Sequence, residues 1–483
     1  MGTIAIVVLV VSFLLLLILG VPIAYSISIS GVLTMLVSID SLPAFTTYAQ
    51  RMAAGLDSFT LLAIPFFVLA GNIMNKGGIA VRLVDFAKSL VGNMTGGLAF
   101  VNVLANMLFG AISGSAAASA SAIGSIMGPE MEKEGYKSNF SAAVNITSST
   151  TGLSIPPSNV LIVYSLASGG ASITALFLAG YIPGILTGIA IMLTAMSILI
   201  YNEKGIRSVF LALAKFFSFS LILGLIVFII FRYIDLNWLR ILLLVLIIIS
   251  PGIYLSFVNP KRIKDSLRKF VIALPSLMML LIVVGGIIAG YFTATEASAI
   301  AVLYALILAS IYKEMTFKDL PNVILHSVKT TVIVLFLVSA SMGLSWIMAY
   351  ENIPQTVSNL LIHISDNPIV ILLIINLILL AVGIFMDMTP AILIFTPIFL
   401  PIVTQQLGLN PIHFGIILIM NLSIGLCTPP VGSVLFIGCS VANVKIADVI
   451  KPLIPLYIAM ILILLLVSYI PDISMWLPGL FDL

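Results

Sequence analysis

The sequence predicts an all-α polytopic membrane protein built from two inverted-topology repeats. Three observations carry that reading. Of 483 residues, 61% are hydrophobic and only 8% are charged, with a mean hydropathy of +1.26. Apolar runs recur along the chain, from Ile4–Leu19 to Ile454–Tyr469. Helix-breaking residues then repeat in order at an offset of 272–273 positions. A soluble domain carries about 25% charged residues, so this composition excludes a water-soluble globule. It also excludes a disordered chain, a disulfide scaffold and a nucleic-acid binder. The 21 basic and 18 acidic residues leave a net +3, too little for a polyanionic partner. Cys427 and Cys439 lie in apolar surroundings without CxxC or His spacing and read as small buried hydrophobes.

A helix needs about 20 apolar residues to cross a bilayer. The short alternating segments of a membrane β-barrel are absent. The run Ile4–Leu19 lacks a basic leading region and leads into another apolar run, so it reads as a retained membrane helix. Residues 1–200 are expected to form the first repeat, 201–272 a linker, and 273–483 the second repeat. Pro129 corresponds to Pro401, Pro156-Pro157 to Pro429-Pro430, Pro183 to Pro455, Gly71 to Gly343 and Gly110 to Gly383. The loop Pro129–Lys137 carries Lys133 and Lys137, whereas its counterpart Pro401–Pro411 carries no Lys or Arg. Ser165–Thr174 has no basic residue, whereas its counterpart has Lys445. Short Lys/Arg-rich loops stay cytoplasmic, so the copies read as oppositely oriented, a recurring design of secondary transporters.

The linker contains Lys261–Lys269, with five positive charges in nine residues, which places it in the cytoplasm. Before it, Phe216–Phe231 and Leu239–Phe257 read as an extra apolar helix pair. Two segments are too polar to span. Residues 76–91 place Ile79, Leu83, Phe86 and Leu90 on one face, opposite Arg82, Asp85 and Lys88. Residues 353–364 repeat the pattern with Ile353, Val357, Leu360 and Ile364. Such helices lie in the membrane interface or cap a bundle.

Unpaired backbone groups are costly in lipid, so breaks occur only where protein or a watery cavity supplies partners. Three polar clusters stand out: Gly110–Ser125, Asn145–Asn159 and Gly425–Gly432. Proline lacks an N–H and clashes with the carbonyl four residues back. Pro156 and Pro157 are therefore expected to free the carbonyls of Gly152 and Leu153, and Pro429 and Pro430 those of Gly425 and Leu426. Each break would present carbonyls at the negative end of a half-helix, beside Ser149, Thr150, Thr151 and Ser154 or Thr428. Carbonyls and hydroxyls suit Na⁺; carboxylates would suit Ca²⁺, and Cys or His zinc. Small-residue runs such as Gly110–Ser125 also serve as packing faces. Glu296 and Asp387 lie in apolar stretches and read either as functional carboxylates or as helix N-caps.

At this point the chain resembles the large membrane subunit of tripartite ATP-independent periplasmic (TRAP) transporters. The matching stretches are Ser113–Met131, Ile155–Tyr164, Ala294–Ala297, Asp387–Pro390 and Thr428–Gly432. They stand in family order across both halves. The resemblance implies an elevator-type transporter of the ion transporter superfamily. Two re-entrant hairpins, about 95–129 and 370–401, would meet two unwound helices, about 138–168 and 411–441. Residues 76–91 and 353–364 would be the arm helices. One Na⁺ would use Ser113, Gly152, Ile155 and Pro156, and the other Gly383, Gly425, Thr428 and Val431. Substrate would touch Ser115, Ser149, Thr150, Ser158, Asn159, Asp387 and Pro430. The family often carries serine where this chain has Gly110, and it usually has a shorter polar connection in place of Phe216–Phe257.

The resemblance further implies Na⁺-coupled uptake of a small organic anion, a carboxylate or sulfonate, with no other cofactor. A separate small four-helix membrane subunit and an extracytoplasmic (periplasmic) solute-binding protein would be partners. The setting would be a bacterial or archaeal cytoplasmic membrane, the inner membrane in a Gram-negative cell. The nearest rival is a one-component Na⁺- or H⁺-coupled anion symporter. A membrane enzyme is disfavoured: HExxH, GxSxG and DDxxD are absent, and His326, His363 and His413 are scattered. A purely structural subunit would leave the duplicated helix breaks unexplained.

Overall fold

The computed structural model describes residues 2–92, 96–211, 213–214, 260–316 and 318–481. The apolar pair Phe216–Phe257 lies outside the described residues. Among the described residues all regular structure is helical. The first half runs α1 (Gly2–Ile18), α2 (Ile23–Ser38), α3 (Ser41–Leu56), a 3₁₀ turn (Phe59–Leu62) and α4 (Ala63–Lys76). It continues through α5 (Ile79–Val91), α6 (Gly97–Ser113), α7 (Ala116–Lys133), α8 (Ser138–Ser149), α9 (Thr151–Ser154), α10 (Asn159–Ala167) and α11 (Ile173–Lys204). The second half runs α12 (Pro260–Ile288), α13 (Ala294–Tyr312), α14 (Leu320–Tyr350), α15 (Ile353–Ile364), α16 (Pro368–Phe385) and α17 (Met388–Gln405). It ends with α18 (Pro411–Leu426), α19 (Ser433–Val441), α20 (Ile446–Tyr469) and α21 (Asp472–Gly479).

The chain punctuates these helices with local chemistry. Gly20 at φ +77° and Pro22 at the N-cap separate α1 from α2. Gly114 at φ +61° turns α6 back into α7, and the Ser115 side chain caps α7 by accepting from Ala118 N at 3.3 Å. Asn367 and Asn410 cap α16 and α18, each followed by a proline that needs no hydrogen-bond partner. Glu296 proves to be a cap partner. Its carboxylate accepts from Thr293 N at 2.8 Å while Thr293 Oγ1 accepts from Glu296 N at 3.3 Å, a complete capping box.

Element starts recur between the halves. Ser138 opens α8 and Pro411 opens α18, 273 residues later, and the same interval separates Ile173 of α11 from Ile446 of α20. The halves also differ, most clearly before the arm helices. Where the first has α3, the 3₁₀ turn and α4, the second has the unbroken 31-residue α14.

Eight described helices are long and apolar enough to cross a membrane: Phe59–Lys76, α11, Arg268–Ile288, α13, α14, α16, α17 and α20. Both α16 and α17 qualify by length, although a re-entrant hairpin was expected there. α5 buries Ile79, Leu83 and Phe86 and packs against α6 and α12, so its apolar face is covered by protein. α15 differs: Ile353 and Leu361 are buried, whereas Leu360 and Ile364 are exposed.

The helices pack in two groups. In one, α4 lies along α13, while α14 crosses α2, α3 and α4. Tyr48 pins that crossing: its ring fills the space beside Gly31 and Gly343, and its hydroxyl donates to Ala340 O at 2.9 Å. In the other group α6, α7 and α8 pack together, α16 packs on α18, and α11 and α20 support them.

Candidate transport site

Two interruptions organise this second group. After α9, Ile155 is extended and Pro156, Pro157 and Ser158 separate the helix from α10. After α18, residues Cys427–Gly432 separate it from α19. Both Pro-Pro bonds are cis.

The carbonyls at these breaks are less open than proline sterics alone predicts. The Leu153 carbonyl accepts the Ser158 hydroxyl at 2.6 Å. The Gly425 carbonyl accepts from Thr428 N at 2.9 Å. A carbonyl has two lone pairs, so that of Leu153 keeps one acceptor position, while the Gly425 carbonyl also faces the Cys427 N–H. Thr428 Oγ1 donates to Ile424 O at 2.8 Å, which leaves its own lone pairs available. The Cys427 carbonyl accepts the hydroxyl of Tyr457 on α20.

Glycine pairs bring the turns and breaks together. A Cβ added at Gly152 would stand 2.4 Å from Gly110 Cα, and one at Gly425 would stand 2.5 Å from Gly383 Cα. Backbones at such distances leave no room for side chains, so at these points α6 touches α9, and α16 touches α18, glycine to glycine. The family serine expected near Gly110 has no space here: its Cβ would lie 2.8 Å from Gly152 Cα. The sequence pairing of Gly71 with Gly343 does not extend to their surroundings. Gly71 faces the backbone of Ser113, whereas Gly343 faces Tyr48.

The predicted ligands divide accordingly. Ser113, Gly152, Ile155 and Pro156 are buried around the first break. Gly383 and Gly425 are buried at the second, Thr428 is half-buried, and Pro430 and Val431 are exposed. Asn159 lies against the α6–α7 turn, its amide nitrogen 3.1 Å from where a Gly114 Cβ would be, and its buried Oδ1 has no hydrogen-bond partner. Ser115 sits at the same turn. Asp387 occupies the N-cap of α17, at the α16–α17 turn, without the side-chain bond of a cap.

Two of the expected substrate contacts are buried in this structure, with their hydroxyls donating to backbone carbonyls. Ser149 is fully buried and its hydroxyl donates to Ile146 O at 2.8 Å. Ser158 is also fully buried, its hydroxyl held by Leu153. The Ser158 bond crosses the break, whereas that of Ser149 stays within the last turn of α8. Thr150 donates to Thr147 O at 2.9 Å but lines a narrow crevice with Thr151, Ser154 and Ser423, where the first break faces α18.

A buried amide network escaped the sequence reading. The two N–H groups of Asn106 Nδ2 on α6 are shared among Asn102 Oδ1 at 2.8 Å, Asn145 Oδ1 at 3.1 Å and Ser148 Oγ at 2.9 Å. Ser119 of α7 donates to Asn106 Oδ1 at 2.7 Å. In the second half, Asn421 of α18 donates to Asn376 Oδ1 of α16 at 2.8 Å. The i, i+4 spacing of Asn102 and Asn106 within an apolar run was the available signal. Among the described residues no three His, Cys, Asp or Glu converge as metal ligands. The donors gathered at the breaks are carbonyl and hydroxyl oxygens.

Comparison with known proteins agrees with this architecture. The model of the DctM component of tripartite ATP-independent periplasmic transporters matches residues 10–473. An uncharacterized protein of Salmonella typhimurium, YgiK, is 50% identical over 97% of this chain and 96% of its own. The sialic acid TRAP transporter large permease SiaM of Vibrio cholerae is 34% identical, covering 96% of each chain. The 2,3-diketo-L-gulonate permease YiaN of Escherichia coli is 34% identical over 94% of each. Among solved structures, the Alcanivorax borkumensis YdaH transporter shares the fold with a TM-score of 0.58 at 13% identity, over 92% of this chain and 90% of that one. Taken with the repeated helix breaks and the membrane-length helices, the full-length match shows that this chain belongs to the DctM family, the large permease component of TRAP transporters.

Proposed function

We propose that this chain moves a small organic anion, a carboxylate or sulfonate, inward across the cytoplasmic membrane together with Na⁺. The carrying observation is the repeated glycine contact, Gly110 on Gly152 and Gly383 on Gly425, which sets each helix turn against a carbonyl-bearing break. Ser113, Gly152, Ile155 and Pro156 would hold one Na⁺, and Gly383, Gly425, Thr428 and Val431 the other. Substrate would bind between the turns near Ser115, Thr150, Asn159, Asp387 and Pro430.

The α6–α7 and α16–α17 pairs would act as re-entrant hairpins in an inverted-repeat, elevator-type carrier. The group containing α6–α11 and α16–α20 would move against the group containing α1–α4 and α12–α14. Each positive charge carried inward gains about 2.3 kcal/mol per 100 mV. Coupling requires Na⁺ and substrate to favour the same conformation. An extracytoplasmic binding protein would deliver the substrate, and a small membrane subunit would complete the assembly.

The test is thermal unfolding of the purified chain, titrated with NaCl against KCl at constant ionic strength. A ligand at ten times its Kd stabilises the folded state by about 1.4 kcal/mol. A saturable, Na⁺-selective rise in Tm, weakened by Thr428→Val, is expected. Superimposable curves in the two salts would remove Na⁺ coupling from the proposal.

A further inference from the structure

The two breaks are held by different chemistry, and the difference falls on one residue. Tyr457 of α20 donates its hydroxyl to the Cys427 carbonyl, one residue before Thr428. By the Pro183–Pro455 correspondence the matching residue on α11 is Ile185, which has no hydroxyl to offer. There Ile155 packs directly on the backbone: a Cβ at Gly184 would stand 2.5 Å from Ile155 Cγ1. The carbonyl matching that of Cys427 belongs to Ser154, and it lies 2.1 Å from where a Gly180 Cβ would be. An apolar contact against a bare helix backbone thus supports the first break, and a phenol supports the second.

The peptide unit joining Cys427 to Thr428 gives this bond its reach. A peptide is planar, so its C=O and N–H turn together. At one end of this unit the carbonyl takes the Tyr457 hydroxyl. At the other, the Thr428 N–H donates to the Gly425 carbonyl at 2.9 Å. Tyr457 therefore fixes the rotation of the plane that orients both Gly425 O and the Thr428 side chain. α20 is itself packed against α8, α11 and α18, so the phenol projects from a supported helix.

We infer that Tyr457 is the positioning residue of the second cation site, acting on Gly425 and Thr428 through the Cys427–Thr428 peptide, and that the first site has no such residue among the described residues. The inference rests on the Na⁺ reading above. It does not require Tyr457 to touch the ion.

The experiment compares the full-length wild-type chain with Tyr457→Phe in thermal unfolding, titrated with NaCl against KCl at constant ionic strength. Tyr457→Phe removes only the hydroxyl. Its Tm falls modestly and equally in KCl and in Na⁺-free buffer, the cost of one lost hydrogen bond, while the Na⁺ concentration giving half of the Na⁺-dependent rise increases about three- to tenfold. Tyr164→Phe, which also removes a buried hydroxyl but away from the second break, leaves that concentration unchanged. Should Tyr457→Phe not fold, Tyr457→Met reads the same quantity with a flexible side chain filling the space. An unchanged Na⁺ midpoint, with or without an equal loss of Tm in both salts, makes Tyr457 merely structural and overturns the inference. A wild-type chain without Na⁺ response overturns the underlying Na⁺ reading, and the inference with it.

Discussion

Tyr164 and Pro411 are joined across 247 residues of sequence: the Tyr164 hydroxyl on α10 donates to the carbonyl of Pro411, the first residue of α18, at 2.5 Å. The same ring fills the space beside Gly415, where a Cβ would stand 2.3 Å from Tyr164 Cε1. One side chain of the first half thereby sets where the broken helix of the second half begins. Tyr164→Phe is expected to cost about 1 kcal/mol, one net hydrogen bond. Gly415→Ala should cost more, about 1–3 kcal/mol by overpacking. Tm in a fixed detergent orders them; a wild-type Tm for Gly415→Ala would mean that the close glycine contact contributes nothing.

The glycine pairs give a sharper contrast. Gly152→Ala and Gly425→Ala each push a methyl group into the backbone of a neighbouring helix. Each should lower stability by about 1–3 kcal/mol and abolish uptake in reconstituted vesicles. Gly128 on α7 has open space around the same position, so Gly128→Ala should be neutral or stabilising, by up to about 1 kcal/mol from helix propensity. If Gly425→Ala retained wild-type Tm and uptake, the close contact would not be needed.

Asn106 joins α6 to α7 and α8 through bonds to Asn102, Asn145, Ser148 and Ser119. Asn106→Leu is expected to destabilise by about 1–3 kcal/mol, because the buried partners it leaves have no water to turn to. Asn102→Ala combined with Asn106→Leu should cost less than the sum of the single changes. Strict additivity in that cycle would show that the amides act separately.

Outside the spans, Asp319 accepts from Lys76 Nζ at 2.6 Å and from Thr316. The bond from Lys76, then those from the Thr316 side chain and backbone, hold its carboxyl well below the usual carboxylate range. A depressed folded-state pKa adds stability that is present above the unfolded value, near 3.9, and is lost as pH falls through the folded value. Asp319→Asn should therefore lower Tm slightly at pH 7 and low salt, with the gap closing only under strongly acid conditions. The pair is half-exposed, so salt should shrink the effect. A gap that persisted unchanged below pH 2 would point to packing rather than charge.

Much of this was legible because helix breaks leave compositional marks. Pro156-Pro157, Pro429-Pro430 and the glycines at 110, 152, 383 and 425 stand out in any apolar sequence, and the breaks and close contacts lie at those positions. Side-chain partners were not legible, because they depend on what tertiary packing brings near. Ser158 reads as an available hydroxyl until its bond to Leu153 is visible, and Ser149 until Ile146 is. Tyr457 looks like one aromatic residue among many in an apolar run. Its role appears only when the α20 helix is laid beside residues 427–428. Leu360 and Ile364 show the limit of periodicity, since helical spacing predicts a shared face without telling whether anything covers it.

The crossing of the halves also bears on how the chain is made. α4, from the first half, lies along α13, and α14 crosses α2 and α3, so neither half closes this group of helices alone. The contacts of α6 with α7 and α8, by contrast, lie wholly within the first half. As the polypeptide leaves the ribosome, the first break and its asparagine network can assemble early. The flank of α4 destined for α13 stays uncovered until about 100 further residues have emerged beyond α11, leaving the nascent first half dependent on lipid or an insertion factor to shield it.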